Sequence, residues 1–242
     1  MFPVLADGRR AGLHPRREAG RSGIMTAPDT LTASLWIVAA YLLGAIPFGL
    51  LVARLMGRGD IRQQGSGNIG ATNVLRTAGR MAGAIALLLD MLKGFLPVLL
   101  ARSWLGADAP LTGGIALALF LGHLYPLYLR FKGGKGVATG LGIYLAWTPE
   151  AGLYALLTWL LAALVWRTSS LAALLAFLLL PGFLFSQGSR TAMATALLIV
   201  PWVFWRHRTN IQRLAHGTEP RIGQSTSTRA TPPPHSNPTG GS

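Results

Sequence analysis

Residues 81–101, MAGAIALLLDMLKGFLPVLLA, form an apolar segment long enough to cross a membrane as one helix. A bilayer core about 30 Å thick needs roughly 20 apolar residues per helix. Asp90 lies about 13 Å along such a helix, near the middle of the bilayer, and Lys93 follows on the same face. Because ionisable residues in lipid are costly unless they are paired or functional, we interpret Asp90 and Lys93 as a structural ion pair.

Similar apolar segments recur along the 242-residue chain, which is 51% hydrophobic and only 12% charged. They are Leu31–Leu55, Leu111–Leu129, Val137–Trp147, Ala151–Trp166, Leu171–Phe185 and Thr191–Trp205. Lipid cannot satisfy backbone polar groups, so helices are the expected spanning elements. The pattern predicts an all-α polytopic membrane protein with about seven transmembrane helices and a kink at Pro47. The count falls to six if the short segment Val137–Trp147 does not cross.

The basic residues indicate how these helices are oriented, because positive charge favours the cytoplasmic side. Seven spans with the N-terminus outside and the C-terminus cytoplasmic place Arg54–Arg80, Arg130–Lys135 and Arg206–Arg213 inside. The basic stretch Arg9–Arg21 would then lie outside. This conflict favours translation from Met25 over a short disordered extension at the N-terminus.

The chain therefore divides into three predicted parts. Residues 1–24 are a basic extension, residues 25–221 are the membrane domain, and residues 222–242 are a disordered tail of polar composition. A formal net charge of +14 would suggest nucleic acid in a soluble protein, but topology, anionic lipid and anionic substrates explain it better here. We expect no nucleic-acid partner. The absence of cysteine excludes disulfides and thiolate chemistry.

The first loop, expected at residues 57–80, contains the motif GSGNIGATNVLR at residues 65–76. Its glycine amides, hydroxyls and asparagine side chains can hydrogen-bond an oxyanion, and Arg76 can hold phosphate through two parallel bonds. The candidate binding residues are Gly65, Ser66, Gly67, Asn68, Thr72, Asn73 and Arg76. A flexible interhelical loop has a similar composition, so composition alone leaves both interpretations open. The motif lacks the Gly-Lys-Ser/Thr ending of a Walker-type loop.

A second basic motif, FKGGKG at residues 131–136, follows the third apolar segment. Its glycines surround Lys135 and open a predicted helix, whose N-terminus favours an anion. The candidates are Lys132, Gly133, Gly134, Lys135 and Gly136. A basic turn flanking the membrane is the alternative. The chain uses nineteen arginines and three lysines, so a retained lysine suggests the need for a compact charge.

A third polar group follows the last span, where His207, Asn210 and Arg213 are spaced three residues apart. On a continuing helix they would form one face at the membrane surface, either a binding surface or a basic cap. Ser170 begins another span and by itself resembles a helix cap. The sequence shows no cluster of residues suited to a metal.

Three motifs carry a resemblance that covers about residues 31–219. GSGNIGATNVLRTAG, GHLYPLYLRFKGGKGVAT and NIQRLAHGTE stand in the order seen in the bacterial integral-membrane glycerol-3-phosphate acyltransferases that use acyl phosphate. DMLKG at residues 90–94 also fits. The resemblance implies acyl transfer from acyl phosphate to the 1-hydroxyl of glycerol 3-phosphate, giving lysophosphatidic acid and phosphate, without a cofactor or metal.

The same resemblance assigns roles to individual positions. The positions that hold substrate phosphate and glycerol hydroxyls are matched by Ser66, Arg76, Lys135, His207 and Asn210. Secondary contacts are matched by Thr72 and Ser170. The acyl phosphate would be cradled by Gly133, Gly134 and Gly136. With no convincing protein base visible, we expect the phosphate of the donor to accept the hydroxyl proton, with His207 as the remaining candidate.

The implied setting is the bacterial cytoplasmic (inner) membrane, with a multi-pass chain and the active site on the cytoplasmic side. Membrane lipid and the soluble enzyme that makes acyl phosphate from acyl carrier protein are the expected partners. A transporter of phosphorylated molecules would also use glycine breaks and basic residues, but it predicts inverted repeats, which the sequence does not show. A lipid flippase would not need three polar motifs on one face.

Overall fold

A computed structural model describes residues 28–223, which fold into ten α-helices joined by short connections. No β-strand occurs in that range. The helices are α1 (Thr30–Gly44), α2 (Phe48–Leu55), α3 (Ala71–Ala78), α4 (Arg80–Leu105), α5 (Pro110–Leu124), α6 (Val137–Trp147), α7 (Pro149–Trp166), α8 (Ser169–Ser186), α9 (Arg190–Arg206) and α10 (Arg208–Ala215). The predicted extension at residues 1–24 and nearly all of the predicted tail lie outside the described residues.

Four helices in residues 28–223 are long and apolar enough to cross a membrane, namely α4, α5 with the turn that follows it, α7 and α8. The bent pair α1–α2 makes a fifth candidate. The predicted kink is confirmed, because the chain bends by 41° between these two helices and α2 begins directly after Pro47. The 11-residue α6 and the 17-residue α9 are shorter than a usual span. The predicted all-α class with several apolar spans is thus confirmed, while the count of seven and the orientation stay predictions.

The long loop expected at residues 57–80 is in part helical, which corrects the sequence interpretation. Residues 71–78 form α3, which buries Val74 and Ala78 against α4 and leaves polar residues on its other side. Glycines flank the helix at positions 70 and 79. This short amphipathic helix brings the first polar motif to the end of α4.

Helices α4 and α6 pack so closely that only glycine fits at two contact points. A Cβ atom at Gly94 would lie 2.3 Å from the carbonyl oxygen of Thr139, and one at Gly142 would lie 2.1 Å from that of Met91. Small residues allow helix backbones in membranes to approach in this way. The contact fixes the start of α6, and hence Lys135, relative to α4.

The predicted ion pair of Asp90 and Lys93 is present and buried. Lys93 Nζ lies 2.7 Å from Asp90 Oδ1 and donates to the carbonyl of Ile46 at 2.8 Å. Ile46 lies in the break between α1 and α2, where backbone carbonyls lose their helical partners. Lys93 therefore stabilises the kinked first span, which supports a structural role for the pair.

Candidate functional site

A cavity of about 410 Å³ lies where the three sequence motifs meet. Its polar lining includes Ser66, Asn68, Thr72, Asn73, Arg76, Lys135, Ser170 and His207. Its apolar lining includes Leu87, Met91, Leu141, Leu156, Trp159 and Leu160. These polar residues stand at helix ends and in loops, whereas the apolar residues stand one or more turns along α4, α6 and α7, where Asp90 of the buried ion pair also lines the cavity. The cavity can therefore hold a molecule with an anionic head and an apolar chain.

Three helices begin at this cavity without a side-chain cap. Gly70, Gly136 and Thr168 precede α3, α6 and α8, and none of them caps its helix with a side-chain hydrogen bond. First-turn residues of each helix line the cavity, namely Ala71 and Thr72 of α3, Val137 and Ala138 of α6, and Ser169 and Ser170 of α8. Free N–H groups and the helix dipole both favour an anion at such ends. Three ends around one cavity provide for more than one phosphate.

Asn73 organises the first motif. Its Oδ1 accepts from the backbone N–H of Ser66 at 2.9 Å, while its Nδ2 donates to the carbonyls of Ile61 at 3.0 Å and Gln64 at 3.2 Å. Gly65 has φ +58°, and a Cβ atom there would lie 2.3 Å from Asn73 Oδ1. The buried amide of Asn73 is thus engaged by the loop, and its function is to present Ser66 to the cavity.

Arg76 reaches from α3 toward the segment after α10. Its Nη2 donates to the carbonyl of Pro220 at 3.3 Å. Its Nε is buried and has no hydrogen-bond partner. An unpaired buried donor is costly, so this atom is well suited to receive a ligand oxygen.

The second motif uses two of its glycine amides within the protein. Gly133 donates to the carbonyl of Leu124 at 3.2 Å, and Gly134 donates to that of His123 at 3.1 Å. These two amides are not free for an anion, in contrast to the cradle expected from sequence. The free amides belong to the following residues, at the start of α6. Lys132 is exposed and does not line the cavity.

Lys135 and the third motif meet on a carboxylate that the sequence analysis did not single out. Lys135 Nζ donates to Asn210 Oδ1. Glu219 Oε1 accepts from Asn210 Nδ2 at 2.6 Å and from Ser170 Oγ at 2.7 Å, and Oε2 accepts from Arg213 Nε at 2.7 Å. The signal was available, because Glu219 is the last of only eight acidic residues and follows an arginine-rich segment.

The expected continuous helix through His207 is interrupted, since α9 ends at Arg206 and α10 begins at Arg208. The Nδ1–H group of His207 donates to the carbonyl of Val203 at 2.8 Å. A carbonyl only accepts, so the neutral ring keeps its proton on Nδ1 and leaves Nε2 unprotonated. Both His207 and Asn210 are buried next to Lys135.

The surroundings of these groups shift their pKa values. Burial lowers the pKa of Lys135 to about 8; nearby arginines lower it as well, while Glu219 opposes the shift. Burial, followed by repulsion from Lys135, lowers the pKa of His207 to about 4. Burial disfavours the charged form of Glu219, but hydrogen bonds from Asn210, Ser170 and Arg213 outweigh it and hold the pKa of this carboxyl below its usual value. At neutral pH the site thus contains a charged lysine, a neutral histidine and an ionised glutamate.

The profile of a family described as glycerol-3-phosphate acyltransferase matches residues 34–217. The chain belongs to this family. A glycerol-3-phosphate acyltransferase from Thioalkalivibrio sulfidiphilus is 49% identical over 201 residues, which cover 83% of this chain and 98% of that protein. One from Halorhodospira halophila is 51% identical over 191 residues, covering 78% of this chain and 96% of that protein. The family resemblance carried by the three motifs is therefore confirmed.

Two solved structures of PlsY (YgiH), an integral membrane glycerol 3-phosphate acyltransferase, share the fold. The glycerol 3-phosphate form superposes with a TM-score of 0.76 at 44% identity, covering 79% of this chain and 96% of that chain. The lysophosphatidic acid form gives a TM-score of 0.74 at 43% identity. Together with the apolar helices, this likeness shows that the present family member is an integral membrane protein.

Proposed function

We propose that this protein transfers a fatty acyl group from acyl phosphate to the 1-hydroxyl of glycerol 3-phosphate, releasing lysophosphatidic acid and phosphate in phospholipid synthesis. The observation that carries the proposal is a single cavity that combines three uncapped helix N-termini, the basic side chains of Arg76, Arg80 and Lys135, and an apolar extension. Both proposed substrates carry phosphate, and one also carries a fatty chain. The cavity provides for both kinds of group.

The proposed contacts follow from the positions of the side chains. Four side chains that line the cavity would hold glycerol 3-phosphate, namely Ser66, Thr72, Arg76 and His207. Asn210 would reach it beside Lys135, whose ammonium group it binds. Lys135, Gly136 and the first amides of α6 would hold the phosphate of the donor. Ser170 at the start of α8 would make a secondary contact, while Asn68 and Asn73 would support the first loop, together with Gly65 and Gly67. Gly133 and Gly134 would shape the turn before Lys135.

The chemistry needs positioning and charge stabilisation more than a strong base. The glycerol hydroxyl oxygen attacks the acyl carbonyl carbon, the bond from that carbon to the phosphate oxygen breaks, and the departing phosphate takes the hydroxyl proton. Lys135 would neutralise the charge that develops on this phosphate. A base works best when its pKa is near the working pH, so His207 with a pKa of about 4 is poorly suited. These features support a substrate-assisted proton transfer.

The fatty chain would lie along the apolar side of the cavity, against Leu87, Met91, Leu141 and Leu156. It would enter from the bilayer, while both phosphates would reach the polar side from water. In this way the reaction would join a lipid substrate and a soluble one at the membrane surface.

We further propose seven spans, in which α6 and α9 join the five apolar candidates. The chain would span the inner membrane of a bacterium with its N-terminus outside. The site would open to the cytoplasm, where a soluble enzyme supplies acyl phosphate. The cysteine-free chain allows a direct test. Single cysteines at Asp108 and Gln187 should react with an impermeant maleimide in intact cells, and one at Gln63 should not. The opposite labelling would overturn this orientation.

The activity is tested by giving the detergent-purified protein palmitoyl phosphate with and without glycerol 3-phosphate. We expect phosphate release that depends on glycerol 3-phosphate and is matched by lysophosphatidic acid, with no need for acyl-coenzyme A. A monodisperse protein that releases no phosphate would refute the acyltransferase and direct attention to transport, measured as uptake into vesicles.

A further inference from the structure

Arg206, the last residue of α9, binds the turn of the second motif through its guanidinium group. Its Nε donates to the carbonyl of Gly134 at 2.9 Å, and its Nη2 donates to the carbonyl of Gly133. The same guanidinium lies over the ring of Tyr125, 5.7 Å from its centre. No sequence motif marks these contacts, because 72 or 73 residues separate the partners.

The turn that Arg206 contacts is held from both sides. The amides of Gly133 and Gly134 donate to the carbonyls of Leu124 and His123, at the end of α5, and their carbonyls accept from Arg206. A Cβ atom at Gly134 would lie 2.2 Å from His123 Nε2, so the turn cannot shift toward α5. Lys135 and the first amides of α6 follow directly. Their position therefore depends on the contact with α9.

We infer that Arg206 is a positioning residue for the acyl-transfer site: its planar fork fixes the Gly133–Gly134 turn, and thereby Lys135 and the N-terminus of α6. The inference rests on the proposed function, because it gives the turn its catalytic importance. Lysine cannot replace this arginine fully, since an ammonium group is a compact charge and does not offer two parallel donors. The positive charge of Arg206 also offsets the negative ends of the Gly133 and Gly134 carbonyl dipoles, which lie near a site for anions.

A simple basic cap at the membrane surface is the competing interpretation, and Arg208 shows what such a cap looks like. Its guanidinium lies 5.0 Å from the ring centre of Trp205 and donates to the carbonyl of Trp205 at 3.2 Å, a partner only three residues earlier in the chain. Arg208 is exposed, whereas Arg206 is half-buried. Arg208 is therefore a matched control, two residues away and outside the cavity.

The test compares Arg206→Lys, Arg206→Gln, Arg208→Lys and Arg208→Gln with the unaltered protein. We expect kcat/KM to fall about tenfold in Arg206→Lys and about 100-fold in Arg206→Gln, mainly through kcat, as a misplaced catalytic group predicts. The Arg208 variants should stay within about twofold, since the interactions of the Arg208 side chain do not reach the site. Melting temperatures in detergent should remain similar for Arg206→Lys and the unaltered protein. A silent Arg206→Lys, or one whose melting temperature falls together with its activity, would refute positioning by the fork.

A second measurement determines the pKa of Lys135 without requiring catalysis. Only three lysines occur in the chain, so 13Cε-lysine labelling gives few signals, and Lys135→Ala identifies that of Lys135. The charged groups that act on Lys135 are Glu219, Arg213, Arg206 and Arg76, with His207 and Asn210 beside it. Removing the positive charge in Arg206→Gln should raise the pKa of Lys135 above its value of about 8, while Arg206→Lys should leave it there.

The two measurements separate the possible failures. An inactive unaltered protein would refute the proposed function, whereas the lysine titration would still report whether Arg206 acts on Lys135. A Lys135 signal whose chemical shift and pKa both stay unchanged in Arg206→Gln would overturn the inference, even in an active acyltransferase.

Discussion

Replacing Glu219 with glutamine isolates one charge at the junction of the three motifs. Glu219 accepts three hydrogen bonds, from Ser170, Asn210 and Arg213, and its side chain is only 8% exposed. Glutamine keeps the shape and one oxygen, but its amide nitrogen would face the Nε donor of Arg213 or the donor of Asn210. At least one charge-assisted bond is therefore removed, and such bonds contribute about 1.5–3 kcal/mol each.

Part of this lost hydrogen-bond energy would affect the acyl-transfer step through Asn210. Asn210 binds Glu219 with its amide nitrogen and Lys135 with its oxygen, so Glu219 fixes which way the amide points. If about 2 kcal/mol of the loss appears in the transition state, kcat/KM falls about 30-fold. The pKa of Lys135 would also drop below about 8, because Glu219 is the neighbour that raises it. The alkaline decline in activity should accordingly move to lower pH in Glu219→Gln.

The assay is the pH dependence of kcat/KM for phosphate release, together with a melting curve in detergent. Glu150→Gln is the matched control, because Glu150 is exposed in the first turn of α7 and does not line the cavity. Removing the charge of Glu150 should lower the free energy of unfolding by no more than about 0.3–1 kcal/mol, which is the contribution of a charge near a helix N-terminus. If Glu219→Gln and Glu150→Gln behave alike in rate and in pH profile, the role given to Glu219 is wrong.

Four further substitutions test individual side chains by the same assay. Lys135→Ala should lose about 1000-fold in kcat/KM, whereas Lys132→Ala, on the exposed side of the same turn, should lose far less. In the unaltered protein, activity should fall as the pH rises through about 8, because Lys135 then loses its proton. Arg76→Lys should lose roughly tenfold, because the charge remains and the two-bond contact does not. His207→Gln should keep kcat within about threefold of the unaltered value, with any lost contact to glycerol 3-phosphate raising KM, and a loss of about 100-fold or more in kcat would restore histidine as the general base.

Much of the fold follows from local patterns. Continuous apolar segments predicted the helices α4 to α9, Pro47 predicted the break between α1 and α2, and Asp90 with Lys93 predicted a buried pair. The short helix α3 was missed because its eight residues, four of which have polar side chains, resemble a glycine-rich loop. Its buried positions at Val74 and Ala78 are four residues apart, which is a weak signal within such a short helix.

The site was harder to predict because its key contacts join residues far apart in the chain. A glycine-rich motif shows that amides are available, but not whether the protein uses them itself. Gly133 and Gly134 give theirs to the end of α5, so the anion-binding amides lie later, at the start of α6. Asn73 was predicted to bind substrate, but both its amide oxygen and its amide nitrogen form hydrogen bonds with the loop that contains Ser66.

These contacts follow a common physical logic. A loop at a membrane surface has little apolar area to bury, so burial alone cannot hold it in one conformation. Each of the three motifs is instead held by a polar side chain: Asn73 holds the first loop, Arg206 of α9 holds the glycine turn, and Glu219 joins α8, α10 and, through Asn210, Lys135. Ligand contacts then remain for side chains such as Ser66, Arg76 and Lys135. Residues that hold the motifs are therefore as informative about the reaction as residues that touch the substrates, and substituting them tests whether the site works by positioning.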